Sequence, residues 1–400
     1  MNYYNKYDWQ TMLTQHGPAN YDISEYFDIL CPRSDYPSFL HRYVELPVLK
    51  RLAGIGLLCG TDWTKLYKNR FYYSRLDHSI GVALIVWHFT HDKAQTIAGL
   101  LHDISTPVFS HVSDFRKGDA LTQTATEEPT ARIIRGDEAL NRLLAEDRLT
   151  AAQVEDYHLY PIADNEIPQL SADRLEYMFP SGMALDGSWT MEEIRRCYND
   201  IIVLKNEDGQ DELGFQTIEI AELYCEHFCM IGHILQLNEN KLALHMLGQI
   251  MNMADKAGIL SESDFMTLSE KDVMDKLSAV VEPVETTAVH DAFERHCEAE
   301  PKQSTCAMDT LYRYYHTFRT MTSIEHTDHA LPEDEYFCVN LKVKQRYINP
   351  LVISTLRQSS GTASSTTASQ RLYDVSDKAR RIIDDFKTYH DTAYGCVKLV

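Results

Sequence analysis

Apolar residues recur at i, i+3 and i+4 over residues 46–58, 78–89, 93–104, 131–146, 190–204, 214–237, 241–260 and 308–321. That spacing places them on one face of a helix, so each stretch predicts one. Turn-forming residues at 206–214 and 279–287 break the runs. From Glu335 the pattern changes to alternation, with Tyr336, Val339, Leu341, Val343 and Tyr347 as the apolar set, which predicts one or two strands. Residues 358–370, a run of Ser, Thr, Gly, Ala and Gln, are too polar to pack and predict a mobile surface loop. Order resumes at 371–375 and in a helix over 376–390, with Ser376 as its N-cap. The expected fold class is therefore mainly all-α. A helical core occupies residues 1–334, and a small C-terminal α+β appendage (strand, loop, helix) over 335–400 packs on the same body.

Composition narrows the class. An apolar share of 44% with 24% charged residues matches a soluble globular chain. No apolar run nears the roughly 18 residues of a membrane span. The start also lacks the basic-then-apolar pattern of a signal peptide, so a cytoplasmic address is expected. Nine cysteines, odd in number and without a Cys-x-x-Cys pair, predict reduced thiols rather than a disulfide framework. Cys225, His227 and Cys229 fall at alternate positions of a predicted helix and point different ways, which argues against a zinc set. The net charge of −21 repels polyanions and anionic membranes, so bulk nucleic-acid binding is not expected. Lys65, Lys68, Arg70 and Arg75 concentrate positive charge just before His78. A small positive mouth in an acidic protein suits a small phosphorylated substrate.

The chemistry-bearing residues lie in residues 69–115. His78 opens one apolar helical run and His102-Asp103 ends the next. Two short runs joined by a polar turn predict an antiparallel helix pair that brings the three side chains together. Imidazole nitrogens beside a carboxylate form a ligand set for a divalent metal on rigid supports. Asp173 lies downstream as a fourth candidate. Mixed nitrogen and oxygen ligation suits one Fe, Mn, Ni, Co or Zn ion better than Mg, and residue identity does not choose among them. The dipeptide by itself says little, because His91-Asp92, His290-Asp291 and His390-Asp391 repeat it. These three read as solvated or capping pairs.

Three local patterns carry a family resemblance: Arg75-Leu76-Asp77-His78-Ser79-Ile80-Gly81, Ala98-Gly99-Leu100-Leu101-His102-Asp103, and Asp173-Arg174-Leu175-Glu176-Tyr177. They resemble the HD superfamily of metal-dependent phosphohydrolases, whose signature is a His, a His-Asp pair and a distant Asp. The match is strongest to the branch that hydrolyses deoxynucleoside triphosphates, bacterial dNTP triphosphohydrolases and the mammalian SAM-and-HD-domain enzyme included. Weaker similarity runs from about Leu46 to Leu277. The resemblance implies an HD-domain helical core, with its motif region at about 46–180. It also implies one divalent ion on His78, His102, Asp103 and Asp173, and hydrolysis of a dNTP to deoxynucleoside and triphosphate.

Arg75, Arg174 and Tyr177 match substrate-contacting positions, with Arg75 expected to clamp a phosphate through both arms of its guanidinium. His111 matches a residue next to the ligands, in a helix expected to continue from residue 104. Asp114 and Glu127 match the carboxylates that orient the family's catalytic histidines. Homo-oligomers are common in the branch, so one is expected here. The chain departs from the pattern at Thr106 and Thr126, where the family carries histidines, and at Leu57, where it carries a sugar-reading Gln. Thr106 has its own reading as a helix N-cap. These departures keep two alternatives open: hydrolysis of another small phosphate compound, or a catalytically weak metal-binding regulatory protein.

Overall fold

A computed structural model describes residues 22–120, 129–281, 303–357 and 365–400. Glu127, Thr126, the pair His290-Asp291 and residues 358–364 of the expected polar loop lie outside the described residues. Helices dominate: α1 (Ile23–Leu30), α2 (Arg75–Thr90), α3 (Lys93–Leu101), α4 (Val112–Lys117), α5 (Ala172–Leu185), α6 (Ile218–Gln236), α7 (Asn238–Lys256), α8 (Glu270–Val281), α9 (Gln303–Thr320) and α10 (Asp377–Thr388), with shorter helices between them.

The α2–α3 pair forms as its sequence predicts. Ser74 caps α2 by accepting from the Asp77 N–H while Asp77 reaches back to the Ser74 N–H, a reciprocal box that fixes the first turn. His91 ends α2 in the left-handed conformation, and the Asp92 side chain then accepts from the Gln95 N–H to start α3. One of the three other His-Asp pairs is thus a capping pair that builds the tight turn. Gly99 on α3 lets the two backbones approach, since a Cβ there would stand 3.3 Å from Val82. α2 is buried along most of its length, with Val82, Ala83, Leu84, Ile85 and Val86 fully inside. α5 packs across α2, so the two expected ligand-bearing segments meet.

Strands are more extensive than the alternation at 335–354 predicts. Seven are described: β1 (Ile201–Lys205), β2 (Asp211–Phe215), β3 (Glu325–Thr327), β4 (Tyr336–Val339), β5 (Leu351–Arg357), β6 (Ser365–Arg371) and β7 (Tyr394–Lys398). They form sheets ordered β1-β2-β5-β6 and β3-β7-β4. The helix predicted over 190–204 stops at Tyr198, and the β-branched Ile201-Ile202-Val203 pairs antiparallel with β2 instead. β2 runs parallel to β5 through Gly214 and Phe215, so one sheet includes strands from both sides of the expected division at residue 335. Residues 365–370 of the expected polar loop belong to β6, in an antiparallel pair with β5.

Residues 340–350 continue the apolar–polar alternation without strand pairing. Helix α4 is likewise separate from α3. Phe109 and Ser110 take positive φ, so the chain turns between His102 and His111 rather than continuing as a helix. Cys338 and Cys396 are register partners on β4 and β7 and form a disulfide, which corrects the expectation of thiols alone for this pair.

Candidate metal centre

Three helix ends deliver four candidate ligands to one point. His78 sits in the first turn of α2, His102 and Asp103 at the end of α3, and Asp173 in the first turn of α5. The Nε2 atoms of His78 and His102 are 3.2 Å apart. Asp173 Oδ1 lies 3.1 Å from His78 Nε2 and 3.8 Å from His102 Nε2, and Asp103 Oδ2 lies 3.9 and 3.6 Å from the same atoms. Neighbouring ligand atoms about 2.1 Å from one ion at right angles stand roughly 3 Å apart. The His78–His102 and His78–Asp173 spacings match that, and the other three are wider. His78, His102 and Asp103 form the tight group, with Asp173 at its edge.

Tautomers decide the fit. His78 Nδ1 donates to Glu176 Oε2 at 2.5 Å and His102 Nδ1 to the Gly99 carbonyl at 2.7 Å. With both rings neutral, each Nε2 turns a lone pair toward the other, with two carboxylates alongside. Four such electron-pair donors converging in a buried pocket repel one another unless a cation, a metal ion or a proton, sits between them. Without an ion, a proton on His78 takes that place, with Nε2–H toward Asp173 Oδ1 at 3.1 Å. Burial disfavours an ionised Asp103, yet Arg75, His102 and His78 hold it well below the usual carboxylate range. Burial likewise opposes charge on Asp173, and His78 and His102 keep it low. For His78 burial disfavours the proton, while Asp173 and Glu176 drive its pKa up to about 10.

Glu176 is the supporting residue that sequence reasoning did not single out. It is fully buried one turn after Asp173, where its Oε1 accepts from the hydroxyls of Tyr73 at 2.5 Å and Tyr26 at 3.1 Å. Gly81 makes room for it, since a Cβ there would collide with Oε1. Both residues belong to the quoted patterns, so a buried Glu opposite a Gly was the available signal.

Several expected roles change. Arg75 spends one arm on Asp103, Nη1 to Oδ2 at 2.8 Å, and its Nε on Ser110 at 3.0 Å, so a two-armed phosphate clamp is not available to it. Arg174 lines no part of the cavity. Its guanidinium is tied to the Gln169 carbonyl, to Asn165 and to Asp164. Thr106 is not an N-cap: its hydroxyl donates to Asp103 Oδ1 at 2.8 Å, next to the candidate ligands. Lys65 and Lys68 are exposed, and Arg70 packs on Asp186 and Gly187, so Arg75 alone of that basic run lines the cavity.

His111 lines the cavity with its Nδ1 on the fully buried Asp114 at 2.9 Å. Burial lowers its pKa, Asp114 raises it in part, and Arg346 and Arg75 lower it further. Tyr177 and Leu57 also line the cavity, which measures about 650 Å³. Burial raises the Tyr177 phenol, partly offset by Arg346. Arg346 and Lys344, from the unpaired segment 340–350, are cavity residues with no motif to announce them.

A second group, Glu239, His326 and Asp391, has metal-like spacing. There both ring nitrogens of His326 face carboxylates, with Lys241 beside them, so an ion-pair hub accounts for it. Asp391, the acid of another repeated His-Asp pair, accepts from the Asn238 N–H at the start of α7. On α6, Cys225 and Cys229 are buried together, while His227 turns to Trp189.

No family model matches the chain. It is 28% identical over 128 residues to the metal-dependent phosphohydrolase cns2 of Cordyceps militaris, a stretch covering 32% of this chain and 36% of that relative. It is 24% identical over 256 residues to the uncharacterised Bacillus subtilis protein YdhJ, covering 64% and 75%. The fold is shared with a phosphohydrolase from Bacteroides thetaiotaomicron, with a TM-score of 0.54 at 14% identity over 90% of this chain and 96% of that one. It is shared equally with a hypothetical protein from Aquifex aeolicus, with a TM-score of 0.53 at 13% identity over 91% and 92%. Among the described residues no helix is long and apolar enough to cross a membrane. A relative named as a metal-dependent phosphohydrolase supports the HD-superfamily resemblance without reaching its triphosphohydrolase branch, and the solved structures share the mostly helical fold.

Proposed function

We propose that this chain is a metal-dependent phosphohydrolase acting on a nucleotide, with His78, His102, Asp103 and Asp173 as the ligands of one divalent ion. The observation that carries this reading is the pair of Nε2 atoms facing each other at 3.2 Å, flanked by two carboxylates at the wall of a large cavity. When bound there, such an ion lowers the pKa of a coordinated water and polarises a phosphoryl oxygen.

The chain's own groups supply the rest. Arg346, Lys344 and the arm of Arg75 not used on Asp103 offer positive charge to the phosphate oxygens. Hydrolysis forms one P–O bond from water and breaks one P–O bond to the leaving group, and a proton must end on the leaving oxygen. We assign that proton to His111, which lines the cavity. Asp114 holds its Nδ1–H, so Nε2 is the atom that takes or gives the proton. Tyr177 offers its ring to the sugar.

A dNTP, giving deoxynucleoside and triphosphate, is the first substrate reading. Hydrolysis of a nucleoside monophosphate is the second, favoured by Arg174. With that guanidinium held by Asp164 and Asn165, fewer cations face the cavity than a triphosphate calls for. A panel of nucleoside mono- and triphosphates incubated with Mn²⁺ or Fe²⁺, with products separated by chromatography, tests both. Triphosphate release supports the first and orthophosphate from a monophosphate the second. No product from either overturns the hydrolase reading.

A further inference from the structure

The Asp173 face of α5 continues through Tyr177, Ser181 and Leu185, and all four line the cavity. At about 1.5 Å per residue, that stretch of helix rises roughly 18 Å, so the cavity reaches well past the ligand cluster. Its far end is lined by the loop carrying Tyr67, tied down where the Arg70 N–H donates to the Ala184 carbonyl at 3.1 Å. The first turn of α7 closes it from the other side with Asn240. The remaining lining there is apolar, with Ile234, Leu235 and Leu244.

Tyr67 is the anomaly at this end. It is 5% exposed, and its hydroxyl has no hydrogen-bond partner among the described residues. A buried hydroxyl without a partner is costly, and on a cavity wall a ligand can supply what the protein does not. Asn240 is buried as well, with its amide nitrogen held by the Leu235 carbonyl at 3.1 Å, which leaves its oxygen as the acceptor to offer. An apolar end that offers a donor and an acceptor suits a flat heteroaromatic ring.

We propose that the Tyr67–Asn240 end of the cavity is a recognition subsite for the base of a nucleoside phosphate. The Tyr67 hydroxyl donates to a ring nitrogen or carbonyl oxygen of the base, and the Asn240 oxygen accepts from an amino or imino group. The direction of the ligand, phosphate toward His102 and base toward Tyr67, rests on the phosphohydrolase reading; binding of the base does not.

Calorimetric titration of adenosine, guanosine, cytidine and uridine into the metal-loaded full chain tests this, with Tyr67→Phe and Ile234→Trp alongside. The same proteins are assayed for kcat/KM on the matching nucleoside monophosphate and on ribose phosphate, which has no base. The expected result is that at least one nucleoside binds and that Tyr67→Phe weakens it about tenfold. The nucleotide-to-ribose-phosphate ratio of kcat/KM should fall by the same factor, with Tm not lowered. Ile234→Trp, which fills the far end, should abolish nucleoside binding. Absence of nucleoside binding, equal binding by wild type and Tyr67→Phe, or ribose phosphate turned over as well as nucleotides overturns the proposal. Should no phosphate ester be hydrolysed while Tyr67-dependent nucleoside binding persists, the hydrolase reading fails and the base subsite stands.

Discussion

Replacing Glu176 by glutamine keeps the shape of the side chain and removes one charge from behind a candidate ligand. The carboxylate is fully buried and accepts from His78 Nδ1, Tyr73 and Tyr26. In one orientation the new amide would face its NH₂ to the His78 Nδ1–H, donor against donor. It must therefore flip, giving its oxygen to His78 and its NH₂ to the tyrosine hydroxyls, which can turn to accept. The hydrogen bonds survive, and the charge assistance is lost. Hydrogen bonds to charged groups are worth about 1.5–3 kcal/mol against roughly 0.5–1.5 for neutral ones. The His78 contact thus loses about 1–1.5 kcal/mol, and the imidazole becomes a weaker donor to an ion. Partners of this kind typically change metal affinity about 10- to 100-fold. Mn²⁺ titration of the apo-protein by calorimetry should show a Kd raised by that factor for Glu176→Gln, with only a small fall in Tm. Gly81→Ala, which presses a Cβ against Glu176 Oε1, should show the same loss together with a larger fall in Tm. An unchanged Mn²⁺ affinity in Glu176→Gln would refute the claim that this carboxylate tunes the site.

Arg75→Lys breaks the Nη1–Asp103 bond and the Nε–Ser110 bond together, so bound metal measured by elemental analysis should fall along with activity. Full metal content with only KM raised would return Arg75 to a phosphate-contacting role alone. Arg346→Ala should raise KM for the phosphate substrate several-fold at unchanged metal stoichiometry; an unaltered KM would remove segment 340–350 from substrate binding. The ion-pair hub gives a pH signature. Hydrogen bonds to Asp391 and Glu239 raise the pKa of His326 from 6.5 to about 10, so its stabilising contribution is complete below about pH 6.5 and is lost as pH rises toward 10. Thermal melts of His326→Gln should accordingly show a flatter decline of Tm over that window than wild type, and parallel curves would contradict the assignment.

The candidate ligands were legible because their information is local. His78 and His102-Asp103 open and close helices whose periodicity and turn stand in the adjacent residues, so packing of that pair joins them, whereas Asp173 was legible only through the Asp-Arg-Leu-Glu-Tyr pattern. Arg346 had no such signal. Its segment alternates like a strand, and only tertiary packing of 340–350 on the core brings it to the cavity. Glu176 reads as a polar residue one turn from Asp173, and its burial depends on two distant tyrosines and a glycine. Thr106 was open to a local capping explanation because Pro107 follows it, whereas its partner is the Asp103 carboxylate three residues back. The β1–β2 hairpin was hidden by the amphipathic helix before it: three β-branched residues are too few for their period to compete with the run they end. Strand β6 was hidden by composition, since a Ser- and Thr-rich stretch pairs through its backbone with β5 and does not depend on apolar side chains.

The most direct test of the central claim is phosphate release from a nucleotide by the purified chain, measured with Mn²⁺, with EDTA, and in His102→Ala and Asp103→Ala supplied with the same metal. One metal ion per chain and turnover are expected in the wild type. Activity should be lost in EDTA and restored by added Mn²⁺, and both variants should lack stoichiometric metal and activity. Full metal occupancy in the two variants, or wild-type turnover indifferent to EDTA, would contradict it.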